Sequence, residues 1–134
     1  MEVRRAKILI IDDYPFFLKI LSDVFRDNAY SVVTADNGVS GIRTFLDETP
    51  DVVIVDLVMP KLGGVSTCLE IRRLCGDNEP VLILLTSMFR GSPHEHEMPE
   101  MGARVHIPKS TKPLDIVIIV EQLLERKKYF SSNG

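Results

Sequence analysis

Cysteine is scarce in this chain: only Cys68 and Cys75 occur in 134 residues. They lie seven apart on a predicted helix, roughly 10 Å along its axis, too far for a bridge within it. Packing on a helix face in a reducing cytosol is the expected role for both. Basic charge is not in excess either. The net charge of −3 supplies no electrostatic footprint for direct nucleic-acid binding. No apolar run approaches the length a membrane helix needs. Arg4, Arg5 and Lys7 before Ile8 to Ile11 imitate the start of a signal peptide, but Asp12 and Asp13 end the run too early. The glycines form neither GxGxxG nor a Walker pattern, so the nucleotide fingerprints of flavin and phosphate binders are missing. A cytoplasmic protein without a membrane partner is expected.

What is present describes a globular protein, with 45% hydrophobic and 26% charged residues. The length suits one domain. The chain is organised around Asp51 to Gly64, where the apolar Val52 to Val55 runs straight into Asp56. Pro60, Gly63 and Gly64 then break the strand. A short apolar run bounded by turn formers reads as a strand buried on both faces.

The same reasoning gives strands at Lys7–Ile11, Ser31–Ala35, Val81–Leu85 and Arg104–Ile107. Helices fall between them. The first starts at Pro15 and ends at Asp27-Asn28, with Phe17, Ile20, Leu21, Val24 and Phe25 as its core face. The second is capped by Asp36 or Asn37 and lined by Val39, Ile42, Phe45 and Leu46. The third runs from Gly64 to about Cys75 with Val65, Cys68, Leu69 and Leu74 inward. The last begins near Pro113, reaches about Lys128, and leaves a polar tail. Strand and helix alternate five times, which calls for a doubly wound parallel α/β sheet.

A parallel sheet brings all strand carboxyl ends to one edge. That edge collects Asp12, Asp13, Asp56, Thr86 and Lys109. Two like charges 4 Å apart at an effective dielectric near 20 cost about 4 kcal/mol. A divalent cation relieves that repulsion, and all-oxygen ligation suits Mg²⁺. A carboxylate beside Mg²⁺ can attack a phosphoryl group. Lys109 and the Thr86 hydroxyl can meet the phosphoryl oxygens. Taken singly, each residue has an ordinary role: a turn or cap aspartate, a strand threonine, a solvated lysine. The joint pattern is far more specific.

These residues, with the Asp56-Leu-Val-Met-Pro run, Gly64, Thr86-Ser87, Gly102-Ala103 and Lys109, resemble a response-regulator receiver domain of two-component signalling over about residues 6 to 126. The resemblance implies the flavodoxin-like strand order 2-1-3-4-5. It implies that Asp56 accepts a phosphoryl group from the phosphohistidine of a histidine kinase or phosphotransfer protein. It implies Mg²⁺ held by Asp13, Asp56 and the Val58 carbonyl, with Asp12 acting largely through water. Lys109 and Thr86 would sense the phosphoryl group. The receiver would span 1–128, with 129–134 a disordered tail or the start of a linker. Such a chain is a signalling switch, not a turnover enzyme.

Departures from the family pattern carry further expectations. Ser110 stands where proline often follows the lysine, so a trans bond is expected there. Lys112-Pro113 makes Lys112 the alternative active lysine, but the spacing from Gly102 favours Lys109. His106 fills the switch-aromatic position, as a rotamer-filling residue rather than a pH switch. Pro93 and Pro99 predict a short or irregular fourth helix over 89–101, whose His94 and His96 are expected to be solvated. The last helix is apolar beyond one stripe, which suggests a homodimer or partner surface there. The competing function is a degenerate receiver that acts as a phosphorylation-independent interaction module.

Overall fold

The computed structural model describes residues 5–59, 62–86 and 105–133, with side chains only as far as 127. Its sheet is built from β1 (Lys7–Ile11), β2 (Ser31–Ala35), β3 (Val52–Asp56), β4 (Val81–Thr86) and β5 (Val105–Pro108). All neighbours pair in parallel, in the order β2-β1-β3-β4-β5. This is the expected α/β architecture. The three central strands are the three apolar runs. β3 and β4 are buried along their whole length, and β1 from Ile8 onward. Both edge strands are only partly covered. Pro108 ends edge strand β5, where a missing N–H costs no central ladder bond. Arg104, expected to open this strand, lies outside the described residues, as does the segment 89–101.

Side chains alternate across each strand and feed two cores. Ile8, Ile10, Ile54 and Ile83 face one layer with Leu21, Phe25, Ile116 and Val120. Leu9, Ile11, Val53 and Leu84 face the other with Phe45, Cys68 and Ile71. The first layer is covered by α1 (Pro15–Asp27) and α4 (Pro113–Asn133), the second by α2 (Gly38–Glu48) and α3 (Gly64–Leu74).

Helix starts follow the sequence. Asn37 is the cap of α2, its side chain accepting the Ser40 N–H at 2.8 Å. Asn37→Ala is expected to lower stability by about 1 kcal/mol, read as a shifted urea midpoint.

Helix faces depart from the large-apolar reading. Ile20, Val39, Leu46 and Leu69, all expected inside, are exposed. Each lies one residue, about 100°, off a buried stripe. Those stripes use small residues: Gly38 and Gly41 in α2, Gly64 and Thr67 in α3. A Cβ on Gly41 would stand 2.5 Å from the Ile11 side chain, and one on Gly38 2.3 Å from Thr67 Oγ1. Close approach of backbones, not bulk, selects the inner face. Ile71 is the fully buried anchor of α3 in place of Leu69.

The last helix also differs. It runs to Asn133, so 129–133 are helical rather than tail. No glycine or proline follows Pro113 before Gly134 to stop it. Of its apolar residues outside the main stripe, Val117 is buried and Leu124 packs against the core. Among its described residues only Leu114 and Ile118 are exposed large hydrophobics, 54% and 45%. Cys68 is buried, burial pushing its thiol up to about 12, and neither cysteine is bridged. No helix among the described residues is long and apolar enough to cross a membrane.

Candidate functional site

The sheet edge gathers the acidic residues by extending its ladders past the strands. The Asp12 N–H donates to the Ala35 carbonyl at 3.0 Å, one step beyond β1. Asp56 is the last residue of β3, and the next N–H, of Leu57, donates to Leu85 at 2.8 Å. The Lys109 N–H donates to the Thr86 carbonyl at 2.8 Å, one step beyond β5. These bonds fix where each functional side chain leaves the backbone.

Carboxylate oxygens of Asp12, Asp13 and Asp56 lie within 4.8 Å of one another. Asp12 is fully buried and Asp56 is 5% exposed, while Asp13 faces solvent. Asp12 Oδ1 accepts the Tyr14 N–H at 2.9 Å. The Lys109 ammonium sits 2.8 Å from Asp12 Oδ2 and 3.7 Å from Asp56 Oδ1. Lys112, the alternative lysine, is exposed, and its carbonyl accepts the first N–H groups of α4. The geometry thus brings Lys109, and not Lys112, to the carboxylates. Among the described residues no peptide bond is cis, so Lys109-Ser110 is trans as expected.

Burial pushes the Asp56 carboxyl up from 3.8 to about 6, and the neighbouring Asp12 charge adds to it. Lys109 and the Val58 N–H, which donates to the carboxylate, pull it back. Thr86 is buried at the end of β4. Val58 is exposed in the loop after β3. His106 is half-buried opposite Leu84, and its Nε2 is buried without a hydrogen-bond partner. His94 and His96 lie outside the described residues.

The cluster fits a divalent cation. Three carboxylates against one ammonium leave a local excess of two negative charges. Asp12 Oδ2 is buried without a hydrogen bond and is met by the Lys109 ammonium as an ion pair at 2.8 Å. An oxygen in that condition suits a hard cation or its water. A cleft of about 390 Å³ opens beside it, walled by Asp13, Pro15, Leu18, Thr34 and Ser40. A larger groove, about 600 Å³, lies around Arg5, Lys7, Tyr30 and Glu121 at the opposite edge. Its charges neutralise one another, Lys7 with Glu48 at 2.9 Å and Arg5 with Glu121 at 3.6 Å. We locate the chemistry at the acidic edge.

One neighbour of Lys109 escaped the sequence reading. Phe17, assigned there only to the core face of the first helix, places its ring 4.6 Å from the Lys109 ammonium. Helical periodicity sees its apolar half and is blind to a cation above the ring.

Comparison with known proteins agrees with this geometry. Residues 8–121 match the family described as response regulator receiver domain. A probable transcriptional regulator, ycf27, of Guillardia theta is 35% identical over 131 residues, 96% of this chain and 50% of its own length. The chain thus spans about half the length of the curated relatives it matches. A response regulator receiver domain protein of Clostridium thermocellum superposes with a TM-score of 0.83 at 30% identity, covering 94% of this chain and 99% of that one. The response regulator TrrA of Thermotoga maritima, solved in complex with Mg²⁺ and BeF, gives 0.77 at 27% identity, covering 89% and 99%.

Proposed function

Since the chain belongs to the response regulator receiver domain family, we propose that it is a phosphoacceptor switch in which Asp56 takes a phosphoryl group from the phosphohistidine of a histidine kinase or phosphotransfer protein. The observation that carries this reading is the convergence of three carboxylates within 4.8 Å with the Lys109 ammonium 2.8 Å from one and 3.7 Å from another.

In the transfer, an Asp56 carboxylate oxygen attacks phosphorus. The bond from phosphorus to the donor nitrogen breaks, and its electron pair leaves with the imidazole. Asp56 is ionised for this at neutral pH, because its carboxyl lies at about 6 and not higher. Asp12, Asp13, Asp56 and the Val58 carbonyl would hold Mg²⁺, which when bound neutralises charge on the phosphoryl oxygens. Lys109 offers a second positive charge to the same oxygens, and Thr86 a hydroxyl. Burial of Asp12 and Asp56 keeps the local dielectric low, which strengthens both interactions. The chain acts only on its own carboxylate, and a partner-binding surface would respond. This reading assigns the receiver to residues 1–128 and places it in the cytoplasm, where the donor kinase presents its histidine.

Incubation with acetyl phosphate, followed by intact mass, tests the proposal. One added phosphate is expected with Mg²⁺ present and none after chelation. An unchanged mass in Mg²⁺ would favour the phosphorylation-independent module instead.

A further inference from the structure

We propose that Phe17 is a positioning residue for phosphoryl transfer, holding the Lys109 ammonium by a cation–π contact so that it stays off the attacking oxygen yet within reach of the incoming phosphoryl group. The inference rests on the receiver reading above and deepens it.

Lys109 stands one residue past an edge strand. Its backbone is anchored by the bond to Thr86, but its side chain is long, flexible and 17% exposed. Left to Coulomb attraction alone, the ammonium could collapse onto Asp56, the carboxylate that must attack. It could also swing out to water, recovering the rotamer freedom that an ordered lysine loses. It does neither. It lies 2.8 Å from Asp12, 3.7 Å from Asp56 and 4.6 Å from the centroid of the Phe17 ring. That last distance is well inside the range where the ring quadrupole attracts a cation.

The ring is a stiff support. Phe17 belongs to the first turns of α1, is half-buried, and packs against the core that Leu21 and Phe25 anchor. Asp12 and Phe17 therefore restrain the ammonium from two sides. The positive charge already waits 3.7 Å from Asp56 Oδ1. Preorganised charge of this kind needs no rearrangement when the reaction begins.

The test compares wild type, Phe17→Leu and Phe17→Tyr for the rate of phosphate gain from acetyl phosphate in Mg²⁺. Phe17→Leu is expected to slow the gain about threefold to tenfold, in keeping with a cation–π contact at a partly exposed site. Phe17→Tyr, which keeps the ring, is expected to restore it. In a Lys109→Gln background, Phe17→Leu should have no further effect, because its action passes through the ammonium. NMR supplies an independent readout. The Lys109 ε-methylene protons should be shifted upfield by the ring in wild type and Phe17→Tyr, and not in Phe17→Leu. If Phe17→Leu does not fold, Phe17→Met replaces it. Equal slowing in both lysine backgrounds, a wild-type rate in Phe17→Leu, or no ring shift would overturn the inference. Failure of wild type to take phosphate at all would instead overturn the receiver reading.

Discussion

Asp56→Asn is expected to abolish phosphate gain and, at the same time, to make the fold more stable above neutral pH. The first effect follows from chemistry. A neutral amide oxygen is a poor nucleophile, and the proposed transfer needs the ionised carboxylate at position 56. The second follows from linkage. The Asp56 carboxyl sits at about 6 in the folded protein against an ordinary 3.8. A carboxyl raised on folding favours the native state while it is protonated. That contribution is complete below the unfolded value and is lost as pH rises through the folded one. Wild type thus carries a penalty above about pH 7 that the asparagine variant lacks. The rise from 3.8 to about 6 corresponds to at most about 3 kcal/mol. Urea midpoints should therefore coincide below about pH 4 and separate above about pH 7, with the variant more stable. Saturating Mg²⁺ should narrow the gap by stabilising the ionised cluster of wild type. A variant that still gains phosphate, or one no more stable than wild type in alkaline buffer, contradicts this account.

Gly64→Ala is expected to cost about 3 kcal/mol and to slow phosphate gain as well. A Cβ at this position would lie 2.3 Å from the Asp56 carbonyl oxygen and 2.7 Å from the Leu57 Cα. Both are backbone atoms of the strand end that carries the acceptor, so no side-chain rotation can make room. The Gly64 N–H meanwhile donates to the Leu57 carbonyl at 3.0 Å, which holds the first turn of α3 against that strand. Relief of the clash must move either α3 or Asp56. Gly63→Ala is the control, since the nearest atom there is 3.8 Å away and that glycine has an ordinary extended φ of −69°. It should change stability by no more than about 1 kcal/mol. Matching urea midpoints for the two variants would show that the contact yields more easily than the geometry implies.

Strands were the most legible part of the fold. Lys7–Ile11 and Ser31–Ala35 match residue for residue, because a short apolar or β-branched run between turn formers has few other solutions. Helix faces were less legible. Val39 and Leu46 are large and apolar, yet Gly38 and Gly41 lie inward on α2. A hydrophobicity pattern rewards size, whereas close packing of a helix on a sheet can reward its absence. The end of the last helix was misjudged for a related reason. A polar segment without a breaker can stay helical when the turns before it are anchored, as Ile116 and Val120 anchor α4.

Which strand-end residues share the acidic edge was determined by the sequence itself. Once the apolar runs are strands of one parallel sheet, Asp12, Asp13, Asp56, Thr86 and Lys109 have only one edge to share. How they meet was decided by tertiary structure alone. That the ammonium lies nearer Asp12 than Asp56, and that an aromatic ring stands beneath it, depends on where α1 packs across the sheet. Coulomb and cation–π attraction change steeply over an ångström or two, and no spacing along the chain encodes a distance that fine.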